Sequence, residues 1–167
     1  MSPLDQVQTQ TQIGSDGRVE VRLERVEDVW EEAERLAEKE HAEIGERRRF
    51  DPDWDSMVTL NRSGIMQALI ARIDGRMIGY FTWMINFDME SKGTLIANQT
   101  AWYVEPGHQS AAIRLFNEAL QCFHEAGVEY VYLHHTLRGR GAKLGRLFER
   151  KGAELLGFNY VLNVKAK

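Results

Sequence analysis

A single cysteine, Cys122, rules out an internal disulfide, so the fold must be held by its core. No apolar run approaches the ~18–20 residues of a membrane span. The first thirty residues are polar, so no secretory signal is expected either. The five histidines (His41, His108, His124, His134 and His135) show no metal-ligand spacing with cysteine or acids, and no metal is expected. A G-x-S-x-G elbow and a P-loop are both missing, which excludes those hydrolase and nucleotide-binding classes. The formal net charge of −4 gives no general nucleic-acid coat. A cytoplasmic location is the expectation.

What is present is a chain of 167 residues, 43% apolar and 28% charged, suited to one compact domain. Residues 1–17 are rich in Gln and Thr without a sustained period and read as a flexible leader; the domain is expected over 18–167. Charge is unevenly placed. From Glu24 to Arg47 ten acids face four bases, whereas from Arg138 to Lys151 six bases face Glu149 alone. Each run reads as a solvated helix face, and the basic one also suits a phosphate-bearing ligand.

Val19, Val21 and Leu23 alternate with charged residues as a short strand. Val26, Val29, Trp30, Ala33, Leu36, Ala37 and Ile44 then recur at helical spacing, with Glu40 on that same stripe. Asp53 is placed to cap a second helix from Trp54 to about Asn61. Strands are predicted over Gln67–Ile73, Met77–Phe87 and Thr94–Val104, with Asp74-Gly75 as the tight turn between the first two. Both parities of the second of these strands are apolar, which makes it central. Asn98, Gln99 and Thr100 interrupt the third, and such amides imply cross-strand bonding or a ligand. A long helix over His108–Ala126, a strand over Glu129–Thr136, a basic helix over Leu144–Lys151 and a final strand over Leu155–Val164 complete the order. This is a mixed α/β chain.

The segment Tyr103-Val104-Glu105-Pro106-Gly107-His108-Gln109-Ser110-Ala111-Ala112 runs from a buried strand through a sharp turn into a helix. The first N–H groups of such a helix lack internal partners and lie at the positive end of its dipole. Small residues there admit an anion close to the backbone. Cys122, beside Phe123, reads as packing, as do Met77, Met84, Trp54, Trp83 and Trp102.

Over about 18–164 this order and this turn resemble the GNAT superfamily of acetyl-CoA-dependent N-acetyltransferases. The likeness is to phage and bacterial members, with an acidic first helix carrying His41-Ala42-Glu43. The family's V-x-P-x-[YH]-[RQ]-G-x-G-x-[GA] is matched by Val104, Pro106, His108 and Gln109. Ser110, Ala112 and Arg114 stand where glycines are usual. In the family's later N-x-x-A-x-x-L-Y-x-x-x-G-F segment, Leu147 and Gly152 align, while Gly141 replaces Asn and Phe148 replaces Tyr.

The resemblance implies a mostly antiparallel mixed sheet of six to seven strands with helices on both faces. It implies acetyl-CoA as cofactor, held by the backbone of Trp102, Tyr103 and Val104 and by Gln109, Ser110, Ala111, Ala112 and Ile113, with Phe148 nearby. The reaction implied is direct acetyl transfer to the primary amine of a small molecule or protein. Glu40, His41 and Glu43 are the candidates for deprotonating that amine. The acidic first helix favours a cationic acceptor. Phe148 cannot donate a proton as Tyr would, and with Gly141 and Arg114 it supports the alternative of a non-catalytic binding or structural module. No membrane partner is expected; a nucleic acid would have to use Arg138, Arg140 and Lys143, and a homodimer is left open.

Overall fold

The computed structural model describes residues 19–45, 48–136 and 141–157. They fall into two compact units divided between Leu133 and His134. The expected leader lies outside the described residues.

The first unit contains β1 (Glu20–Leu23), α1 (Val26–Ile44), α2 (Trp54–Arg62), β2 (Met66–Ile73), β3 (Arg76–Phe87), β4 (Leu95–Val104), α3 (Gln109–Glu125) and β5 (Tyr130–Tyr132). The strands lie side by side in sequence order; every pair is antiparallel except β4–β5, which is parallel. β3 is thus central, as its two apolar faces require. The β2–β3 hairpin turns on Asp74 and Gly75 at φ 50° and 79°, the left-handed pair of a tight hairpin turn. Asp53 caps α2 by accepting from the Ser56 N–H at 3.0 Å. From α2, Asn61 accepts the Val26 N–H at 3.1 Å and so caps α1, whose own cap residue Arg25 makes no side-chain bond.

Each face of the sheet carries its own core. On one, Val26, Val29 and Leu36 of α1 pack with Ala68, Ile70, Tyr80 and Tyr103, and Trp54 and Met57 of α2 flank them. Fully burying a side chain such as Leu36 stabilises by ~1.5–3 kcal/mol. On the other, Phe81 lies within 5.4–6.4 Å of Trp83, Trp102, Phe116 and Phe123, and Trp102 stacks on Phe116 of α3. Cys122 is buried, and burial pushes its thiol up to about 12, consistent with packing rather than nucleophilic chemistry.

The second unit contains α4 (Gly141–Arg150), which begins earlier than the apolar pattern from Leu144 suggested. The described sheet has five strands, not six to seven. β5 ends at Tyr132 instead of Thr136, and residues 155–157 of the expected last strand are exposed and unpaired in any ladder. Residues 158–164 of that strand lie outside the described residues. No helix among the described residues is long and apolar enough to cross a membrane.

Two register shifts shape the sheet. One places Ile78 as an extra residue of β3 between the Arg72↔Met77 and Ala71↔Gly79 pairs. The next residue, Gly79, lies so close to β4 that a Cβ there would sit 2.7 Å from the Tyr103 carbonyl oxygen. Gly79→Ala should therefore cost about 1–3 kcal/mol in denaturant unfolding. A change below about 0.5 kcal/mol, the scale of a neutral surface substitution, would contradict that close approach.

Candidate active site

The second register shift falls in β4. Thr82 pairs with Ala101 and Trp83 with Gln99, which leaves Thr100 as the extra residue. A bulge bends its strand and raises its twist. Just before it, the parallel ladder stops: Ile96↔Tyr130, Ala97↔Val131 and Asn98↔Tyr132 are paired, and β4 runs on to Val104 outside that ladder. Two of the three polar residues at mid-strand make cross-strand bonds. Thr100 Oγ1 lies 2.7 Å from Thr82 Oγ1, and Asn98 donates to Asn86 at 3.0 Å. Gln99 points to the opposite face and is buried.

β4 then turns through Pro106 and Gly107, where φ is 92°, a backbone conformation that suits glycine. α3 opens at Gln109 with no side-chain cap from His108 and no acid in its first turn. The Ala111 N–H donates to the His108 carbonyl at 3.0 Å. Gln109 and Ser110 are exposed, Ala112 is half-buried, Ile113 is exposed and Ala111 is buried. A bare N-terminus of this kind presents N–H groups and a positive dipole end to an anion. Arg114 is half-buried and interacts electrostatically with Glu118, whose carboxyl burial pushes up and Arg114 pulls back.

Three candidates stand at the end of α1, and the structure separates them. Glu40 faces the sheet, where its Oε2 accepts the Tyr80 hydroxyl at 2.5 Å. Burial and then the neighbouring Glu40 charge push the Tyr80 phenol up, so it stays protonated as a donor. The Tyr103 ring lies 6.3 Å from that of Tyr80. His41 turns toward Phe50 instead, rings 5.5 Å apart, and its Nε2 is buried without a hydrogen bond among the described residues. Glu43 is exposed. From Tyr80 a polar stripe follows the same face of the sheet through Thr82, Thr100 and Asn98 to Asn86, with exposure rising along it.

Beneath the turn sits a cluster that the sequence reading missed. Glu105 is buried; its Oε1 accepts from Arg35 at 2.8 Å and Lys39 at 2.7 Å, and its Oε2 accepts from Arg76 at 2.6 Å. Burial alone would raise its pKa, but the bonds from Lys39, Arg35 and Arg76 outweigh it and bring it down to about 2.

No protein-family model and no curated protein matches the chain. Solved structures do. A ribosomal-protein-alanine N-acetyltransferase from Brucella melitensis biovar Abortus 2308 superposes with a TM-score of 0.68 at 18% identity, covering 87% of this chain and 99% of its own. An aminoglycoside acetyltransferase from an uncultured soil metagenomic sample, in complex with sisomicin, gives 0.69 at 18% identity, covering 89% and 99%. AAC(6')-Iy in complex with the bisubstrate analog CoA-S-monomethyl-acetylneamine gives 0.67 at 12% identity, covering 90% and 100%. The chain has the GNAT fold.

Within this GNAT fold, Trp102, Tyr103 and Val104 lie past the end of the β4–β5 ladder and are buried. In the second unit Phe148 is buried, with the His135 ring 6.2 Å from its own. A Cβ on Gly145 would sit 2.7 Å from His135 Nε2, so glycine there gives the imidazole its room on α4. Neither His134 nor His135 lies in a strand, although the expected strand ran to Thr136, because β5 stops at Tyr132. Lys143 is exposed; Arg138 and Arg140 lie outside the described residues. Among the described residues no group of three His, Cys, Asp or Glu is placed to hold a metal.

Tyr80 and Glu105 were both missed. Tyr80 shares strand parity with Ile78 and Met84 and so read as core, although a buried hydroxyl needs a partner. For Glu105 the signal was Arg35 and Lys39 at helical i, i+4 spacing. A carboxyl lowered from 4.5 to about 2 adds stability that is complete above pH 4.5 and is lost as pH falls toward 2. The wild-type advantage over Glu105→Gln should be flat above about pH 5 and shrink below it in urea unfolding. An advantage that stays constant down to pH 2 would contradict the ion-paired carboxylate.

Proposed function

We propose that the protein is an N-acetyltransferase that moves an acetyl group from acetyl-CoA directly to a primary amine. The observation that carries this reading is the bulged β4: its ladder with β5 stops at Asn98, and it runs on into an uncapped, acid-free helix start. The fit to the cofactor rests on the same features. Gln109 and Ser110 would hold its diphosphate, with Ala111, Ala112 and Ile113 lining the helix start, and the backbone from Trp102 to Val104 would align its pantetheine arm. When bound, acetyl-CoA supplies an activated acyl carbon.

The acceptor amine must lose a proton to attack, and an amine with an ordinary pKa near ~10.4 is almost wholly protonated at neutral pH. Glu40 takes that proton in this reading. Its bond from Tyr80 orients the carboxylate toward the sheet. The stripe from Asn86 to Thr82 gives the acceptor polar contacts on its way to Glu40. Exposed Glu31, Glu38 and Glu43 on α1 and Asp55 on α2 favour a cationic acceptor. The structural neighbours carry names with different acceptors, so the acceptor here is identified only by its charge.

Calorimetry with CoA tests the first half and turnover with cationic amines the second. Wild type should bind CoA, and Ser110→Glu should abolish binding by placing a carboxylate at the helix start. Glu40→Gln should keep CoA affinity and lose turnover by about 10²–10⁴-fold, the usual contribution of a general base. A wild type that binds CoA but acetylates no amine would favour the non-catalytic module. One that binds no CoA would overturn the reading.

A further inference from the structure

We propose that Glu105 is a positioning residue for the transfer: it holds the turn of α1 that carries Glu40 in register with the turn that opens α3. The inference rests on the function proposed above, in which those two turns serve the amine and the cofactor. Glu105 is fixed at its backbone first. Its N–H donates to the Ile78 carbonyl at 2.8 Å, and its own carbonyl accepts the His108 N–H at 3.3 Å. It is therefore part of the structure that sets where α3 begins. Its carboxylate reaches the other way, to α1.

Arg35 and Lys39 stand one helical turn apart and share Oε1, while Arg76, from the start of β3, fixes Oε2. Arg35 also donates to the Met77 carbonyl at 2.9 Å, which ties α1 to β3. Lys39 directly precedes Glu40, so restraining Lys39 restrains the rotation of the Glu40 turn about the helix axis. Apolar packing supplies little of this restraint. Leu36 is the last buried residue of α1, and 37–44 are half-buried or exposed. Ala37 still packs on the core, and beyond it α1 is tied to the sheet by polar bonds, Lys39 to Glu105 and Tyr80 to Glu40. Exposed ion pairs are worth little, but the Glu105 side chain is only 11% exposed and accepts three charge-assisted bonds. Removing it would leave three cations facing one another with no shared partner.

The test compares wild type, Glu105→Gln, Lys39→Met and Lys39→Arg by amide hydrogen exchange, CoA calorimetry and turnover. Lys39→Met removes one link only and keeps the question open to experiment if Glu105→Gln fails to fold. Exchange over 37–44 should rise about tenfold or more in Lys39→Met and Glu105→Gln, with β2, β3 and the buried stretch of α3 unchanged. CoA affinity should stay within about threefold, turnover should fall about tenfold or more at unchanged KM for acetyl-CoA, and Lys39→Arg should recover most of it. Unchanged exchange over 37–44 would overturn the proposal. So would CoA affinity falling in step with turnover, since the carboxylate would then only shape the cofactor turn. If wild type binds no CoA, the proposed function fails, while the exchange pattern still decides whether Glu105 holds the Glu40 turn.

Discussion

One inserted residue, Thr100, sets the geometry on which the rest depends. A strand that bulges bends away from a straight neighbour. β4 keeps three pairs with β5 and then departs, while its other edge stays paired to β3 as far as Val104. The bulge also turns Thr100 to the same face as Ala101, which brings its hydroxyl to Thr82 and continues the polar stripe that begins at Tyr80. The same insertion thus parts β4 from β5 on one side and lines a polar path on the other.

Electrostatics then divides the first unit into two regions of opposite character. Around α3 the start of the helix is bare of acids and caps, and its dipole is left for an anion. Along the outer side of α1 the carboxylates dominate. Between them Glu105 gathers three cations from two elements, a local inversion of the α1 charge that joins the two regions mechanically. The Arg72 cluster lies beside it: the Arg72 guanidinium bonds Glu24 and Glu32, and Met77 donates its N–H to Glu32 while its carbonyl accepts from Arg35. Along α1 the ionic contacts of Glu32, Arg35 and Lys39 are therefore interleaved with the apolar ones of Val26, Val29 and Leu36.

Local features of this fold were legible in the sequence. The α1 stripe, the Asp53 cap, the Asp74-Gly75 turn and the centrality of β3 each follow from residues within a few positions of one another. Glu40 stood out because it broke an apolar stripe, and its bond to Tyr80 explains the break. What stayed hidden depends on residues far apart. The two bulges have no composition of their own, since a one-residue slip is decided by pairing across strands. Glu105 is fixed by side chains 29 to 70 positions away, so nothing beside it in the chain marks its role. The strand expected over Glu129–Thr136 is shorter, because its end is set by pairing with β4, which stops at Tyr132.

The central claim is that β4 past Asn98 and the start of α3 together seat a CoA molecule. A crystal structure of the protein grown with CoA tests it most directly. The account predicts the diphosphate within hydrogen-bond reach, about 3 Å, of the Gln109 and Ser110 N–H groups, with the pantetheine arm along β4 between Trp102 and Val104. CoA bound elsewhere on the first unit, or β4 pairing with β5 along its whole length around no ligand, would contradict it.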